Sequence, residues 1–322
     1  MIGARLHRET FVAMGTECVV AVTAGYRDAV SVRRALVAGC DEVRACERAL
    51  SRFDQASDLG NLNRASGRWV TVGERLMAAL VAALEAREQT GGRYDPTILP
   101  ALAAAGYDRS FEQLEERPPE TESGWRPGAM VELDDTTMRA RISLHAAVDL
   151  GGIGKGIAAD RALRAMQEAW RDMPGGLVDL GGDIAVSGAT PEGGPWLLAV
   201  ADARVPGATL GTLSVVHGGV STSGRDQRRF GRGRTLHHLI DPSTGRPAEG
   251  GPLAVTVVAR SATEAEAHST ALAVMAVAAA PRYLASRPWL SALLVPDDGA
   301  PLEIGALPLH VDYHEIEFGV SA

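Results

Sequence analysis

Four glycines, a lysine and two aspartates lie within residues 148–160, Val-Asp-Leu-Gly-Gly-Ile-Gly-Lys-Gly-Ile-Ala-Ala-Asp. The largely apolar residues 145–150 are typical of a strand, and Ala, Leu and Met recur at helical spacing over residues 157–170. The glycines are therefore predicted to turn a strand into a helix. Glycine lets backbone N–H groups approach an anion, and a helix N-terminus adds partial positive charge, so the turn suits a phosphate.

This stretch does not match the two best-known phosphate loops. A P-loop needs a glycine where Asp149 stands and a Ser or Thr where Gly156 follows Lys155. A dinucleotide fingerprint needs a glycine in place of Ile157. The alternative to a ligand-binding turn is a structural connector, since glycine turns commonly join elements.

The same motif occurs again later in the chain. Residues 178–182 repeat Val-Asp-Leu-Gly-Gly thirty positions on, with Gly181 and Gly182 followed by Asp183. That spacing predicts a strand, helix, strand unit with neighbouring strands. Two glycine turns, each led by an aspartate, would then open into one cleft, which favours a nucleotide site over a plain connector.

Composition excludes some classes of partner. The chain has 322 residues, is 46% hydrophobic and 22% charged, and carries a net charge of -8. This length and composition can bury a globular core. Nucleic-acid binding depends on clustered Lys and Arg, so the acidic balance argues against a nucleic-acid partner. No apolar run approaches the ~20 residues that span a bilayer, so no membrane span is expected.

The cysteines and the beginning of the chain bear on location. Cys18, Cys40 and Cys46 are an odd number in a large chain, which predicts reduced, structural thiols. Residues 36–40, Leu-Val-Ala-Gly-Cys, resemble a lipoprotein cleavage box. Arg33 and Arg34 leave no apolar region before it, and the segment fits the middle of a helix over residues 31–50. We therefore expect no export signal and a cytoplasmic location.

Periodicity and turn residues predict the remaining elements. Residues 51–63 are expected to form a long polar loop, a kind of segment that is often functional. The other expectations are a strand over 10–23, a short strand over 69–72, a helix over 74–90, a surface excursion over 112–127, a hairpin over 131–144, antiparallel strands over 196–201 and 211–216, a strand over 255–258 and closing strands over 290–295, 301–305 and 307–318.

A histidine near a Pro/Gly turn is the best candidate for a catalytic base. His238 shares a short segment with Asp241 and Pro242. Histidine is the common general base near neutral pH, although a packing role remains the alternative. The small residues 218–224, which include Ser223, suit the close approach of a ligand.

One helix offers oxygen ligands. Ser261 and Glu264 form a capping box at its start. Glu266, Ser269 and Thr270 follow at i, i+3 and i+4, so they share one face. A carboxylate with nearby hydroxyls is a partial shell for Mg²⁺, and an exposed polar stripe is the alternative.

Taken together, these stretches resemble the ApbE family of FAD:protein FMN transferases. The match runs in family order over nearly the whole chain, and the specificity lies in that joint order. The motifs are Met14-Gly15-Thr16, residues 51–63, Tyr94-Asp95-Pro96-Thr97, residues 149–156, Gly181-Gly182-Asp183, Thr222-Ser223-Gly224, residues 238–242 with Thr244-Gly245, and residues 266–270.

The resemblance implies a single domain over residues 1–322 with a mixed α/β (α+β) fold and FAD in a cleft between two interleaved lobes. It also implies Mg²⁺-dependent transfer of the FMN half of FAD onto a Thr or Ser hydroxyl of a target flavoprotein, with release of AMP. The implied FAD-binding residues are Met14, Ser57, Tyr94, Asp95, Asp149, Lys155, Gly181, Gly182, Ser223 and Ile240. The Gly152 carbonyl, Glu266 and Thr270 would hold the metal, and His238 would be the base.

The chain departs from the family pattern in two places. Glu266 stands where the family usually has Asp, which leaves a non-catalytic FAD-binding module as one alternative, and the family's lipoprotein signal is not recognised, which leaves open where the chain meets its target. The other alternative is hydrolysis of FAD to FMN and AMP, since the same cleft would admit water.

Overall fold

The structure is a computed structural model that describes residues 4–25, 28–109, 124–225, 229–230 and 236–310. The strands are β1 (Arg5–Ala13), β2 (Thr16–Ala24), β3 (Val70–Thr71), β4 (Val131–Asp134), β5 (Arg139–Ile142), β6 (Gly175–Leu180), β7 (Asp183–Gly188), β8 (Trp196–Ala201), β9 (Thr209–Val215), β10 (Gly218–Gly224), β11 (Arg229–Phe230), β12 (Leu236–His237), β13 (Ile240–Asp241), β14 (Arg246–Pro247), β15 (Ala254–Ala259), β16 (Ser291–Val295), β17 (Leu302–Ile304) and β18 (Leu309–His310). The helices are α1 (Ala29–Leu50), α2 (Asp58–Ala65), α3 (Glu74–Gln89), α4 (Leu99–Ala104), α5 (Gly154–Ala169), α6 (Ala262–Ala273) and α7 (Ala280–Ala285), with a 3-10 turn at Val277–Ala279.

A large sheet organises these elements. Its strand order is β1-β2-β6-β7-β10-β15-β16-β17, and every neighbouring pair is antiparallel. Two three-stranded sheets, β18-β9-β8 and β3-β5-β4, and two short ribbons complete the described strands. The mixed α/β fold predicted from the resemblance is confirmed.

Helices α1 and α5 pack with β2 into the main core. Gly39 of α1 permits a close approach, since a Cβ there would lie 2.8 Å from Val20 Cγ1 and 2.9 Å from Met166 Cγ. Cys18, Cys40 and Cys46 are buried and free in this region, which confirms the expected structural thiols. Burial raises the pKa of Cys18 to about 11 and that of Cys46 to about 12, so these thiols stay protonated.

Most of the predicted elements are confirmed. The helices predicted over residues 31–50, 74–90 and 157–170 correspond to α1, α3 and α5, with ends that differ by at most three residues. Strands β4 and β5 form the predicted hairpin, and β8 and β9 form the predicted antiparallel pair. Ser261 caps α6 as predicted, since its Oγ accepts a hydrogen bond from the Glu264 N–H at 3.1 Å. The excursion over residues 112–127 and the closing strand over 307–318 lie largely outside the described residues.

Two strand predictions are wrong. Residues 10–23 form a hairpin, because Met14 and Gly15 adopt left-handed backbone conformations with φ of 52° and 69° and reverse the chain. The segment 145–150 is no strand, since it contributes only an isolated bridge between Ala147 and Ile98. The polar stretch 51–63 is likewise a loop only in part, because α2 begins at Asp58.

The predicted strand, helix, strand unit is wrong in its first strand, because residues 145–150 form none, whereas α5 and β6 follow as predicted. Gly181 and Gly182, with φ of 70° and 96°, form the tight turn of an antiparallel β6–β7 hairpin. A Cβ on Gly181 would lie 2.2 Å from Thr16 Oγ1, so the turn also sits tightly against the start of β2. None of the helices in the described ranges combines the length and apolar content that a bilayer crossing requires.

Candidate active site

A cavity of about 480 Å³ lies where the glycine turn before α5, the β1–β2 and β6–β7 turns, the end of β10 and helix α6 converge. Each site residue predicted from the sequence lines it except Ser57 and Gly182. The lining residues are Met14, Gly15, Glu47, Leu50, Ser51, Arg52, Phe53, Arg93, Tyr94, Asp95, Ile98, Leu102, Tyr107, Asp149, Leu150, Gly151, Gly152, Gly154, Lys155, Gly181, Asp183, Thr222, Ser223, Gly224, His238, Leu239, Ile240, Pro242, Glu266 and Thr270.

The glycine turn is shaped by Asp149. Its Oδ1 accepts a hydrogen bond from the Gly151 N–H at 2.8 Å, and the chain then enters α5 through the Gly154 N–H, which donates to the Leu150 carbonyl at 2.7 Å. Oδ2 of Asp149 lies 2.7 Å from Arg52 Nε in a nearly buried ion pair. Asp149 therefore holds the turn in place as well as lining the cavity.

Arg52 is a cavity residue that the sequence reasoning missed. Its guanidinium lies 4.1 Å from the Phe53 ring centroid and 4.9 Å from that of Tyr107, and it donates to the Tyr107 carbonyl at 3.0 Å. Such stacking suits arginine's planar cation. The available signal was its position in the polar stretch 51–63.

Lys155 joins two buried carboxylates at the end of the glycine turn. It forms an ion pair with Asp183, and its Nζ lies 3.6 Å from Glu266 Oε1. The Asp183 and Glu266 side chains are only 2% and 3% exposed. Glu266 Oε2 also accepts a hydrogen bond from the Gly156 N–H at 2.7 Å, so these charges are compensated as burial requires.

Asp183 is the second residue whose role the sequence reasoning missed, although it follows the recognised glycine pair. Its Oδ1 accepts a hydrogen bond from Ser221 Oγ at 2.5 Å. Ser269 Oγ lies 3.1 Å from Ser221 Oγ and 2.8 Å from Ser223 Oγ, and it donates to the Glu266 carbonyl at 3.0 Å. This hydroxyl network connects β10 to α6 directly behind the carboxylates.

Gly152 of the glycine turn is in contact with Thr270 of α6. Thr270 Oγ1 donates to the Gly152 carbonyl at 3.3 Å. A Cβ on Gly152 would lie 3.0 Å from Thr270 Oγ1 and 3.3 Å from Tyr94 Cε2, so the glycine permits this close approach. Two of the three predicted metal ligands are thus in contact, and Glu266 lines the same cavity.

The donor set around Glu266 fits a magnesium ion. Within the described ranges, no group of three or more His, Cys, Asp or Glu side chains could hold a metal, so a site made only of such side chains is not formed there. Mg²⁺, however, prefers oxygen ligands and is usually held by one or two carboxylates with other oxygens. The Glu266 carboxylate, the Gly152 carbonyl and the Thr270 hydroxyl supply such oxygens. The carboxylate of Asp183 is near Glu266, since Lys155 Nζ contacts both side chains.

Tyr94 presents a neutral phenol at the cavity. Its ring is buried, and its hydroxyl has no hydrogen-bond partner within the described part of the chain. Burial, followed by the charges of Asp149, Glu266 and Asp95, holds the pKa of Tyr94 well above its ordinary value. The hydroxyl therefore remains protonated and can exchange a hydrogen bond with a ligand.

Asp95 acts mainly on its own loop. Its Oδ1 accepts hydrogen bonds from the Thr97 N–H at 2.9 Å and from Thr97 Oγ1 at 2.7 Å. Its Oδ2 lies 3.3 Å from Arg87 Nη2. Both oxygens are thus occupied in shaping the segment that follows Tyr94.

His238 is half-buried and lines the cavity, with its ring centroid 6.4 Å from that of Tyr107 in an edge-on arrangement. Its neighbour His237 is buried, with Nε2 at 3.1 Å from the Ala248 carbonyl oxygen. Asp241 shapes the following turn, since its Oδ1 accepts hydrogen bonds from the Ser243 N–H and Oγ, both at 2.8 Å. Of the two adjacent histidines, His238 is the one placed to reach a ligand.

Two predicted residues, Ser57 and Gly182, do not line the cavity. Ser57 is buried and caps α2, where its Oγ accepts from the Gly60 N–H at 2.8 Å and donates to the Ser51 carbonyl at 2.6 Å. The N–H of Gly182 donates to Asp179 Oδ1 at 2.8 Å within the hairpin turn. These contacts shape the loops that carry Ser51 and Gly181, both of which line the cavity.

A glycine-rich helix start, an ammonium group and buried carboxylates around one cavity define a cleft of the kind that binds phosphate-bearing ligands. The model of the ApbE family matches residues 14–294. The chain therefore belongs to the ApbE family.

Curated relatives carry the name FAD:protein FMN transferase. The chain is 31% identical to that of Treponema pallidum over 302 residues, which cover 88% of this chain and 82% of the relative. It is 27% identical to that of Salmonella typhimurium over 237 residues, 71% of this chain and 65% of the relative. With the Escherichia coli K12 protein it shares 37% identity over 130 residues, which are 40% of this chain and 36% of the relative. The match thus spans about two thirds of the Salmonella typhimurium relative and about a third of the Escherichia coli relative.

Solved structures of the same family have the same fold. The ApbE protein from Thermotoga maritima superposes with a TM-score of 0.82 at 29% identity, covering 93% of this chain and 97% of that protein. The flavin transferase ApbE from Vibrio cholerae gives a TM-score of 0.79 at 19% identity, covering 94% and 97%.

Proposed function

We propose that this chain is an FAD:protein FMN transferase, which moves the FMN half of FAD onto a Thr or Ser hydroxyl of a target protein and releases AMP. The observation that carries the proposal is the convergence of Lys155, the Gly156 N–H and the Glu266 carboxylate at the glycine turn, in the same cavity that His238 lines. Family membership and the names of the relatives support the choice of FAD as donor.

The reaction exchanges one phosphoester bond for another. The acceptor oxygen attacks the phosphorus of the FMN half, a new P–O bond forms, and the P–O bond to AMP breaks. AMP leaves with the electron pair of that bond. The acceptor hydroxyl is a very weak acid, so its proton needs a positioned base, and His238 takes it in this proposal.

Negative charge on the phosphoryl oxygens is the main barrier to such an attack. Lys155 and the positive end of the α5 helix dipole supply positive charge where the phosphates would lie. Glu266, Thr270 and the Gly152 carbonyl would hold Mg²⁺, which when bound neutralises charge on the phosphoryl oxygens.

The far side of the cavity suits a flat ring system. Ile240, Leu102 and Tyr107 belong to one buried apolar cluster, and Ile98 packs against it. All four also line the cavity. Apolar walls with a few polar groups are typical of sites for flat cofactors, so these residues would contact a ring of FAD while the glycine turn contacts its phosphates.

The test is incubation of the full chain with FAD and Mg²⁺, with and without candidate flavoprotein acceptors. We expect a flavin-fluorescent acceptor band in denaturing gels and one AMP released for each FMN attached. Release of FMN and AMP at the same rate without any acceptor would identify an FAD hydrolase. Intact FAD after prolonged incubation with acceptors would identify a binding module. Either outcome would contradict the proposal.

A further inference from the structure

An aspartate of α5 caps a different helix. Asp160 lies one turn after Gly156, and its carboxylate is turned toward the first turn of α6. Its Oδ1 accepts a hydrogen bond from the Ala262 N–H at 3.0 Å, and its Oδ2 accepts from the Thr263 N–H at 2.9 Å and from Thr263 Oγ1 at 2.6 Å. One side chain thus binds two of the N–H groups that a helix start leaves without partners inside the helix.

Helix α6 does not depend on Asp160 for an N-cap. Ser261 already fills that position, with its Oγ accepting from the Glu264 N–H. Burial raises the pKa of Asp160 in spite of the hydrogen bonds that it accepts, so its charged form is held at some cost. What Asp160 adds to the cap is a connection between two helices.

That connection lies one helical turn from the candidate metal site. A Cβ on Gly156 would lie 2.4 Å from the Ala262 carbonyl oxygen, so the backbones of the two helices are in direct contact there. One turn further along α6, Glu266 accepts the hydrogen bond from the Gly156 N–H. The contact of Asp160 with Ala262 and the contact of Gly156 with Glu266 are therefore successive links between the same two helices.

We propose that Asp160 is a positioning residue for the divalent-cation site. It fixes α6 against α5, so that Glu266 and Thr270 face the Gly152 carbonyl. The inference rests on the proposed function, because it presumes a cation at these oxygens. Residues that orient metal ligands without touching the ion typically change metal affinity by about 10- to 100-fold when they are substituted.

The experiment uses Asp160→Asn in the full chain and Mn²⁺ as the probe, followed by electron paramagnetic resonance with and without FAD. The asparagine side chain has nearly the size of the aspartate side chain, but only its oxygen can accept a hydrogen bond, because its nitrogen is a donor. We expect Mn²⁺ to bind about tenfold more weakly, while FAD affinity without metal changes less than twofold.

Asp58→Asn is the matched control. Asp58 of α2 accepts a hydrogen bond at 3.1 Å from the N–H of Gly73, the N-cap residue of α3, so it joins two helices in the same way away from the cavity. We expect wild-type Mn²⁺ affinity in this variant. A folded Asp160→Asn protein with unchanged Mn²⁺ affinity would overturn the inference, and so would equal weakening in both variants.

Thr263 provides a second, milder test should Asp160→Asn fail to fold. Thr263→Val removes only the hydroxyl contact and should weaken Mn²⁺ binding a few-fold, whereas Thr263→Ser keeps the hydroxyl and should retain wild-type affinity. Equal affinity in these two variants would contradict the role of Asp160. A wild-type chain that binds no Mn²⁺ even with FAD would contradict the metal in the proposed function as well, which separates the two failures.

Discussion

Gly156→Ala tests whether the contact between α5 and α6 sets the geometry of the site. The added Cβ would lie 2.4 Å from the Ala262 carbonyl oxygen, 2.6 Å from its carbon and 2.8 Å from the Thr263 nitrogen. These are backbone atoms, and ordinary contact begins near 3.4 Å, so the helices must separate by about 1 Å. The 2.7 Å hydrogen bond from Gly156 to Glu266 would then be lost.

We expect two measurable consequences. Overpacking costs about 1–3 kcal/mol, and the better helix propensity of alanine returns about 1 kcal/mol, so the free energy of unfolding in urea should fall by up to about 2 kcal/mol. A misplacement of about 1 Å can slow catalysis by about 100-fold, so FAD-dependent AMP release should fall on that scale.

Gly154→Ala is the control for stability. Gly154 lies on the same helix, and a Cβ added there would meet only Leu150 Cβ at 3.7 Å. The free energy of unfolding of the Gly154→Ala protein should therefore equal or exceed that of the wild type. A Gly156→Ala protein with wild-type stability and wild-type AMP release would refute the argument that the close helix contact sets the site.

Three other predictions concern the metal, the ligand and pH. Glu266→Gln should abolish Mg²⁺-dependent AMP release in a folded protein, because a neutral amide is a poor ligand for a hard cation. Glu266→Asp should retain activity if the shorter side chain reaches the ion. Full activity in Glu266→Gln would contradict the role of Glu266 as a metal ligand. Flavin fluorescence titration should show tighter binding of FAD than of FMN, since the turns at Gly152 and Gly181 line one cavity, and equal affinities would count against contacts beyond one phosphate. Burial, with the charge of Arg287 second, lowers the pKa of His268 to about 4 from 6.5. As the pH falls, the histidine of the unfolded chain is protonated before that of the folded chain. The free energy of unfolding, measured in urea, should therefore fall by up to about 3 kcal/mol as pH drops from about 6.5 to 4. If His268→Gln showed the same dependence of unfolding free energy on pH as the wild type, the prediction would be wrong.

Local patterns predicted the longer helices α1, α3, α5 and α6, but not the short helices α2, α4 and α7. α1 buries residues at spacings of three and four, and α6 begins at a Ser261–Glu264 cap, so both were visible in the sequence. The two glycine motifs show where local patterns stop. The identical Val-Asp-Leu-Gly-Gly segments are continued differently. Ile-Gly-Lys-Gly follows the first and leads into α5, whereas Ile-Ala-Val follows Asp183 after the second and continues it as the returning strand β7.

The missed features depend on contacts between residues that are distant in the chain. Met14 takes a left-handed conformation that its residue type disfavours, so Gly15 alone was the local signal of this turn. Asp183 and Lys155 are brought together by the fold, and the stacking of Arg52 against Tyr107 likewise joins separate segments. The resemblance placed most candidate residues around the cavity, but it could not supply these partners.

The most direct test of the proposed mechanism is single-turnover FMN transfer from saturating FAD to an acceptor protein by His238→Ala. If His238 takes the acceptor proton, the folded variant should bind FAD within a few-fold of wild type and transfer FMN about 100-fold more slowly or worse, the usual scale for losing a general base. His237→Ala, whose ring lies against the Ala248 carbonyl, should transfer FMN at nearly the wild-type rate. A near-normal transfer rate in the folded, FAD-loaded His238→Ala protein would contradict the account.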